Sequence, residues 1–216
     1  MRYFPLSIIL VLLYSCGDDG PNCPGDISLP VEISPFKPYY SIGDTVTISS
    51  KFYALIYDQK TEKFYNSINY RFTPIIYLNT IDSSDEYNWK SKVHELSTFI
   101  QQSNEGMNLI VSAEQGVITG EYNLAKDSLY LSVQLILKSA GLMSLRIGSL
   151  TSGDSHLQNN YHFGCRGREI TFCLKSPAED NIKLLQQHRS NERNNWILAD
   201  SIGRFKQYAG YCFEVK

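Results

Sequence analysis

Hydrophobic and polar residues alternate along two long segments of the chain. Leucine or valine occupies every second position from Leu129 within residues 128–138, and residues 45–57 have a similar alternation. A period of two is typical of a strand with one buried face. We therefore predict a strand in each segment. The residues predicted to share the buried face of segment 45–57 are Val46, Ile48, Phe52, Ala54 and Ile56.

Shorter runs extend this strand pattern. They are residues 69–78, 142–147, 168–175 and 211–215. Pro74 cannot donate a hydrogen bond to a neighbouring strand, so it favours an edge position for the first of them. The short turn Ser139-Ala140-Gly141 separates strand 128–138 from strand 142–147, which predicts that these two strands form a hairpin.

Two segments have helical spacing instead. Apolar residues recur every three or four positions from Trp89 to Ile100, which predicts an amphipathic helix over residues 84–102. A second helix is predicted to begin at Ser176, because residues 176–179 place Ser, Pro and Glu at the N-cap, N1 and N3 positions. The pattern as a whole predicts a mainly β fold with one or two helices.

Length and composition restrict the classes of protein to consider. The chain has 216 residues, of which 43% are hydrophobic, enough for one domain with a sizeable core. Its formal net charge is −2, and it has no basic stripe with interleaved aromatic residues, so we expect no nucleic-acid partner. Because no catalytic or metal-binding motif is present, we expect no cofactor, metal or catalytic residues. We also expect a monomer.

The N-terminus has the features of an export signal. Arg2 precedes an apolar run from Tyr3 to Tyr14. This run is shorter than the roughly 20 residues of a membrane-spanning helix but typical of a cleaved secretory signal. Leu13-Tyr14-Ser15-Cys16 resembles the lipobox of bacterial lipoproteins, which has Leu three positions before the cysteine and a small residue directly before it. Tyr14 departs from that motif, in which a small or β-branched residue is usual.

The lipobox resemblance implies that residues 1–15 are a signal peptide. It also implies that Cys16 carries a diacylglyceryl thioether and an acylated amine, which anchor the chain in a membrane. Gly17-Asp18-Asp19 resembles the surface-export signal of lipoproteins from Bacteroidota-like bacteria. The alternative is a plain flexible tether over residues 16–30, which are rich in Gly, Pro and Asp. We expect an outer-membrane lipoprotein that faces the cell surface or the periplasm.

If Cys16 is lipidated, four cysteines remain: Cys23, Cys165, Cys173 and Cys212. An even number in an exported chain favours two disulfides, for which three pairings exist. Alternation places Cys173 and Cys212 each opposite the apolar face of its strand, so a cross-strand bridge between them is favoured. Cys23–Cys165 is then the second predicted bridge.

Two further segments resemble parts of the Ig-like modules of bacterial surface proteins. Residues 39–48 resemble their Y-x-x-G-D-x-V-x-I opening, and residues 136–142 resemble their closing hairpin. The resemblance implies an Ig-like antiparallel β-sandwich over residues 31–150. Residues 151–216 are expected to form an α+β extension packed on the same core.

No motif identifies a reaction or a ligand. We expect a non-catalytic binding or assembly module at the cell envelope, with the membrane as partner through the anchor and a glycan or a protein as ligand. One alternative is a lipoprotein hydrolase acting on glycans, which would need two carboxylates in a concave pocket. Another is a structural subunit of a surface complex, which would show a large exposed apolar patch or an unpaired edge strand.

Overall fold

The computed structural model covers most of the region after the predicted signal peptide. The described residues are 23–68, 70, 72–82, 91–100, 110–112, 116–149, 169–176 and 180–216. Cys16, Cys165 and residues 177–179 of the predicted helix start lie outside them, as does part of the predicted helix at 84–102.

Strands dominate the described residues. The strands are β1 (Ile27–Ser34), β2 (Tyr39–Tyr40), β3 (Thr45–Tyr53), β4 (Leu55–Asp58), β5 (Lys63–Asn66), β6 (Pro74–Thr80), β7 (Ser97–Ile100), β8 (Ile110–Ser112), β9 (Val117–Thr119), β10 (Asn123–Ala125), β11 (Ser128–Leu137), β12 (Gly141–Ser149), β13 (Ile170–Leu174) and β14 (Tyr211–Val215). The helices are α1 (Val93–Leu96), α2 (Lys183–Gln187) and α3 (Glu192–Ala199), followed by a π-helical turn (Ile202–Lys206).

Among the described residues, two six-stranded sheets form a β-sandwich, and β4 and β5 form a separate hairpin. The first sheet has the order β10-β11-β3-β1-β13, with β7 also paired to β11, and the second has the order β2-β14-β12-β6-β9-β8. The predicted mainly β sandwich is confirmed. It differs from the prediction in two details: the pairs β1–β13 and β14–β2 are parallel, and the described residues form three short helices.

The main core lies between the two sheets. β3 and β11 pair over nearly their whole length, with Ile48 opposite Val133, and the predicted alternation of both strands is confirmed by their buried positions. Leu78, Leu145 and Phe213 enter the same core from the second sheet. Burial of this apolar surface is the main force that holds the sandwich together.

The predicted hairpin of residues 128–138 and 142–147 is wrong, although both strands exist. β11 belongs to the first sheet and β12 to the second, so the turn at 138–141 carries the chain across the sandwich. Gly141 has a φ of +133° there, a conformation that glycine adopts without strain. Alternation specifies which face of a strand is buried, but not which strand pairs with it.

The structure corrects two other local predictions. Pro74 is the first residue of β6, where its missing N–H costs no ladder bond, and β6 lies between β12 and β9 rather than at an edge. Within the predicted helix 84–102, only α1 is helical among the described residues. Residues 97–100 form β7 because they pair with β11.

The predicted tether ends earlier than residue 30. β1 begins at Ile27, which lies opposite Ile170 of β13, so residues 27–30 belong to the first sheet. The C-terminal residues supply one strand to each sheet, β13 to the first and β14 to the second. Helices α2 and α3 and the π-helical turn cover the outer face of the second sheet over a smaller core. That core contains Ile81, Leu185, Ile197, Phe205 and Cys212.

Candidate functional site

The β4–β5 hairpin exposes an apolar face to solvent. Every residue from Phe52 to Tyr57 is apolar, so strand alternation must turn half of them outward. Ile56 and Tyr65 pack against the main core, whereas the opposite face carries Leu55, 55% exposed, Tyr57, 50% exposed, and Phe64, 63% exposed. The signal is present in the sequence, because a run of apolar residues longer than one strand face can bury must leave some of them exposed.

Three more exposed apolar side chains lie at the same end of the sandwich. Tyr53, 69% exposed, ends β3. Leu124 lies opposite Leu129 on β10, and Ile68 follows Ser67, whose N–H donates to the carbonyl of Ala54. We call this surface the apolar end. Its members are Tyr53, Leu55, Tyr57, Phe64, Ile68 and Leu124.

The Asp58 carboxylate links the hairpin to Gly25, two residues before β1. Asp58, only 7% exposed, accepts hydrogen bonds from the Gly25 N–H at 2.7 Å and from the Thr61 N–H and hydroxyl at 2.7 and 2.5 Å. Burial by itself would raise the pKa of Asp58, but these donors outweigh it and the pKa is lowered. Gly25, close to the first described residue, therefore lies directly beside the apolar end.

A groove of about 540 Å³ separates the start of β1 from the hairpin. Its walls are mostly apolar, and Asp26, Asp58, Gln59 and Lys60 add polar groups. A glycosidase needs one carboxylic acid with a raised pKa that can donate a proton. Asp58 has a lowered pKa and accepts three hydrogen bonds, so it does not have the character of that acid.

The predicted Cys173–Cys212 disulfide is wrong, since both residues are free thiols. Each cysteine does point away from the main core, as predicted. The two strands, however, belong to different sheets, whose outer faces point in opposite directions. Cys173 is exposed on the first sheet, and Cys212 is buried under the helices on the second. Cys23 is disulfide-bonded, and its partner lies outside the described residues.

The two free thiols are expected to differ in reactivity. Burial raises the pKa of the Cys212 thiol far above its usual range, whereas Cys173 is exposed, and alkylation requires an accessible thiolate. A maleimide should therefore modify Cys173 in the native protein and Cys212 only in denaturant, as measured by peptide mass spectrometry. Native labelling should disappear in Cys173→Ser and persist in Cys212→Ser. A bridged pair would protect both residues even in denaturant.

Two arginines fix the helices to the second sheet. The Arg146 guanidinium donates to the Arg204 carbonyl at 3.3 Å and lies 5.4 Å from the ring centre of Tyr77. Arg193 donates to the Thr80 carbonyl at 2.8 Å. Burial, and then the charge of Arg146, lower the pKa of Arg193 to about 10. Both groups serve the packing of α3 and the π-helical turn.

The described part of the chain contains neither a metal-binding cluster nor a candidate membrane-spanning helix. Within it, no three His, Cys, Asp or Glu side chains lie close enough together to hold a metal ion. Among the same residues, no helix has the length and apolar content that crossing a bilayer requires.

Comparison with known proteins gives similarity only at the level of solved structures. No protein-family profile matches the sequence, and no curated protein matches it. The human F-spondin reeler domain (fragment 2) has a TM-score of 0.35 and 10% identity, covering 69% of this chain and 91% of that one. A type II cohesin domain from the cellulosome of Acetivibrio cellulolyticus has a TM-score of 0.32 and 12% identity, covering 66% and 91%.

The pilus 2b backbone protein of group B streptococcus has a TM-score of 0.26 and 14% identity, covering 57% of this chain and 53% of that one. At such identities and TM-scores the likeness says nothing about function.

Proposed function

We propose that this chain is a lipid-anchored, exported protein of the bacterial cell envelope that works as a non-catalytic binding or assembly module. The lipid on Cys16 holds it at the outer membrane, and the apolar end is the surface through which it contacts another envelope component. The observation that carries the proposal is the exposed apolar face of the hairpin, located where the chain enters the fold.

The character of the apolar end supports contact rather than catalysis. Apolar side chains that cluster on a surface mark sites of interaction. Tyrosine and phenylalanine are enriched at such sites because they add large contact areas at low entropic cost. The hairpin is also well supported, because its inner face packs on the main core and Asp58 fixes its turn. A rigid support lowers the entropic cost of binding.

The cysteines are assigned roles in the same proposal. Cys165 is the proposed disulfide partner of Cys23, which leaves Cys16 for the lipid. Cys23 is only 8% exposed, so this bridge would fix the point from which the N-terminal segment leaves the fold.

Lipidation is tested by metabolic labelling with a clickable palmitate analogue. The wild-type chain should incorporate the label and sediment with membranes, because acyl chains bury about 0.8 kcal/mol per CH₂ in the bilayer. Cys16→Ser should lose the label and leave the membrane fraction. The matched control Cys23→Ser removes a nearby cysteine and should keep the label. Equal labelling of wild type and Cys16→Ser would contradict the anchor.

The side of the membrane is tested separately by protease treatment of intact cells, followed by immunoblotting. Loss of the band, with a periplasmic control protein intact, would support export to the cell surface through Gly17-Asp18-Asp19. A protected band would assign the module to the periplasm and leave those residues as a tether.

A further inference from the structure

We infer that the apolar end sits on the lipid surface in which Cys16 is anchored, with Tyr53, Leu55, Tyr57 and Phe64 in the headgroup region. The inference rests on the proposed lipid anchor and identifies the envelope component that the apolar end contacts. It follows from the length of the anchoring segment, the direction of the strands and the chemistry of the exposed side chains.

The anchoring segment is short. Cys23 follows Cys16 by seven positions, and seven fully extended residues span at most about 25 Å. Cys23 is disulfide-bonded and buried, so its position in the fold is fixed. Two residues later, the Gly25 N–H donates to Asp58 of the hairpin. A lipid on Cys16 therefore holds Cys23 within this distance of the membrane surface, and the hairpin contact lies only two residues beyond Cys23.

The strand directions make the apolar end the nearest part of the fold to the membrane. β1 starts beside the hairpin and runs antiparallel to β3, with Ile33 opposite Ile48. The nine residues of β3 cover roughly 27 Å at 3.4 Å per residue. At the far end, Ile42 donates its N–H to the carbonyl of Lys216. Exposed Tyr39 and Ile42 lie there, on the side away from the anchor.

The exposed groups fit the boundary between headgroups and acyl chains. Tyrosine is enriched there because its ring is apolar and its hydroxyl is polar, and the exposed Tyr57 and Phe64 rings lie 5.0 Å apart. Lys51, Lys60 and Lys63 are exposed around it. Their ammonium groups can reach lipid phosphates while their stems cover apolar surface. Contact with the bilayer would remove the apolar side chains from water.

The test is photocrosslinking of the full-length, lipidated chain in its own membrane. A benzophenone amino acid replaces Tyr57 or, as the matched control, Tyr39, which is 57% exposed at the far end. Phospholipid adducts at position 57 should exceed those at position 39 about tenfold, because the two ends lie roughly 27 Å apart. Mass spectrometry of the N-terminal peptide measures the lipid on Cys16 in the same samples.

The outcomes are distinguishable. A lipidated Cys16 with mainly phospholipid adducts at position 57 supports the inference. A lipidated Cys16 with protein adducts at position 57, or with equal lipid adducts at both ends, overturns the inference and leaves the proposed function standing. An unmodified Cys16 overturns both.

The double variant Tyr57→Ser/Phe64→Ser, compared with Tyr39→Ser/Ile42→Ser, supplies a second readout. Only the first should increase the accessibility of Lys60 and Lys63 to a water-soluble acylating reagent.

Discussion

Asp58→Ala is expected to lower the free energy of unfolding by about 3 kcal/mol, because it removes three hydrogen bonds to a buried carboxylate. The Gly25 N–H and the Thr61 N–H and hydroxyl would lose their acceptor together. Urea unfolding at pH 7, followed by circular dichroism, measures the change. Asp58→Asn keeps an acceptor oxygen and should lose less. An Asp58→Ala variant as stable as the wild type would show that the hairpin is fastened by its apolar contacts alone.

The Asp58 contribution should also depend on pH. The folded pKa of Asp58 lies below its ordinary value of 3.8. The ionised carboxylate therefore adds stability above pH 3.8, and this stability is lost as the pH falls through the folded pKa. The gap between wild type and Asp58→Ala should narrow below pH 3.8. Asp44→Ala is the control: the Lys37 ammonium also lowers the pKa of Asp44, but that carboxylate is partly exposed and lies at the far end.

Gly210→Ala is expected to cost about 3 kcal/mol, at the upper end of overpacking effects. A Cβ at Gly210 would lie 2.4 to 2.6 Å from three ring atoms of Phe205. The Phe205 ring is fully buried in the smaller core, and the Gly210 N–H donates to its carbonyl at 2.8 Å. Neither the ring nor the backbone has room to move, because protein interiors are close-packed.

Gly43→Ala separates this steric effect from backbone strain. Gly43 has a φ of +90°, and no other atom lies within 4 Å of the position that a Cβ would occupy there. Alanine at this position should therefore cost only the conformational penalty, about 1 kcal/mol. Thermal and urea unfolding of the two variants measure the difference. A Gly210→Ala variant no less stable than Gly43→Ala would mean that the π-helical turn shifts to accommodate the methyl group.

Asp58 contributes both to the stability of the fold and to the proposed function. Its side chain joins the point where the chain enters the fold to the hairpin that carries the apolar end. A domain held by so short a segment would have few orientations at a membrane, and the far end around Tyr39 and Ile42 would then face outward.

Much of the strand content follows from the sequence, because alternation is a local property of the chain. Residues 45–53, 128–137 and 211–215 are strands with the predicted faces buried. The turn at Gly43 also follows from the residue itself, since glycine adopts a positive φ without strain. The lipobox resemblance at Cys16 is equally local, and it supports the proposed location without any structure.

The neighbours of each strand are known from the tertiary structure and could not be predicted from alternation. β11 and β12 are adjacent in the sequence yet lie in different sheets, and Cys173 and Cys212 lie on opposite outer faces. The residues adjacent in the sequence do not determine either fact, because the partner of each strand depends on all the other strands that could pair with it. The exposure of the apolar end also depends on tertiary packing. Residues 52–57 are apolar at every position, and only the packing of Ile56 on the core determined that Leu55 and Tyr57 face the solvent.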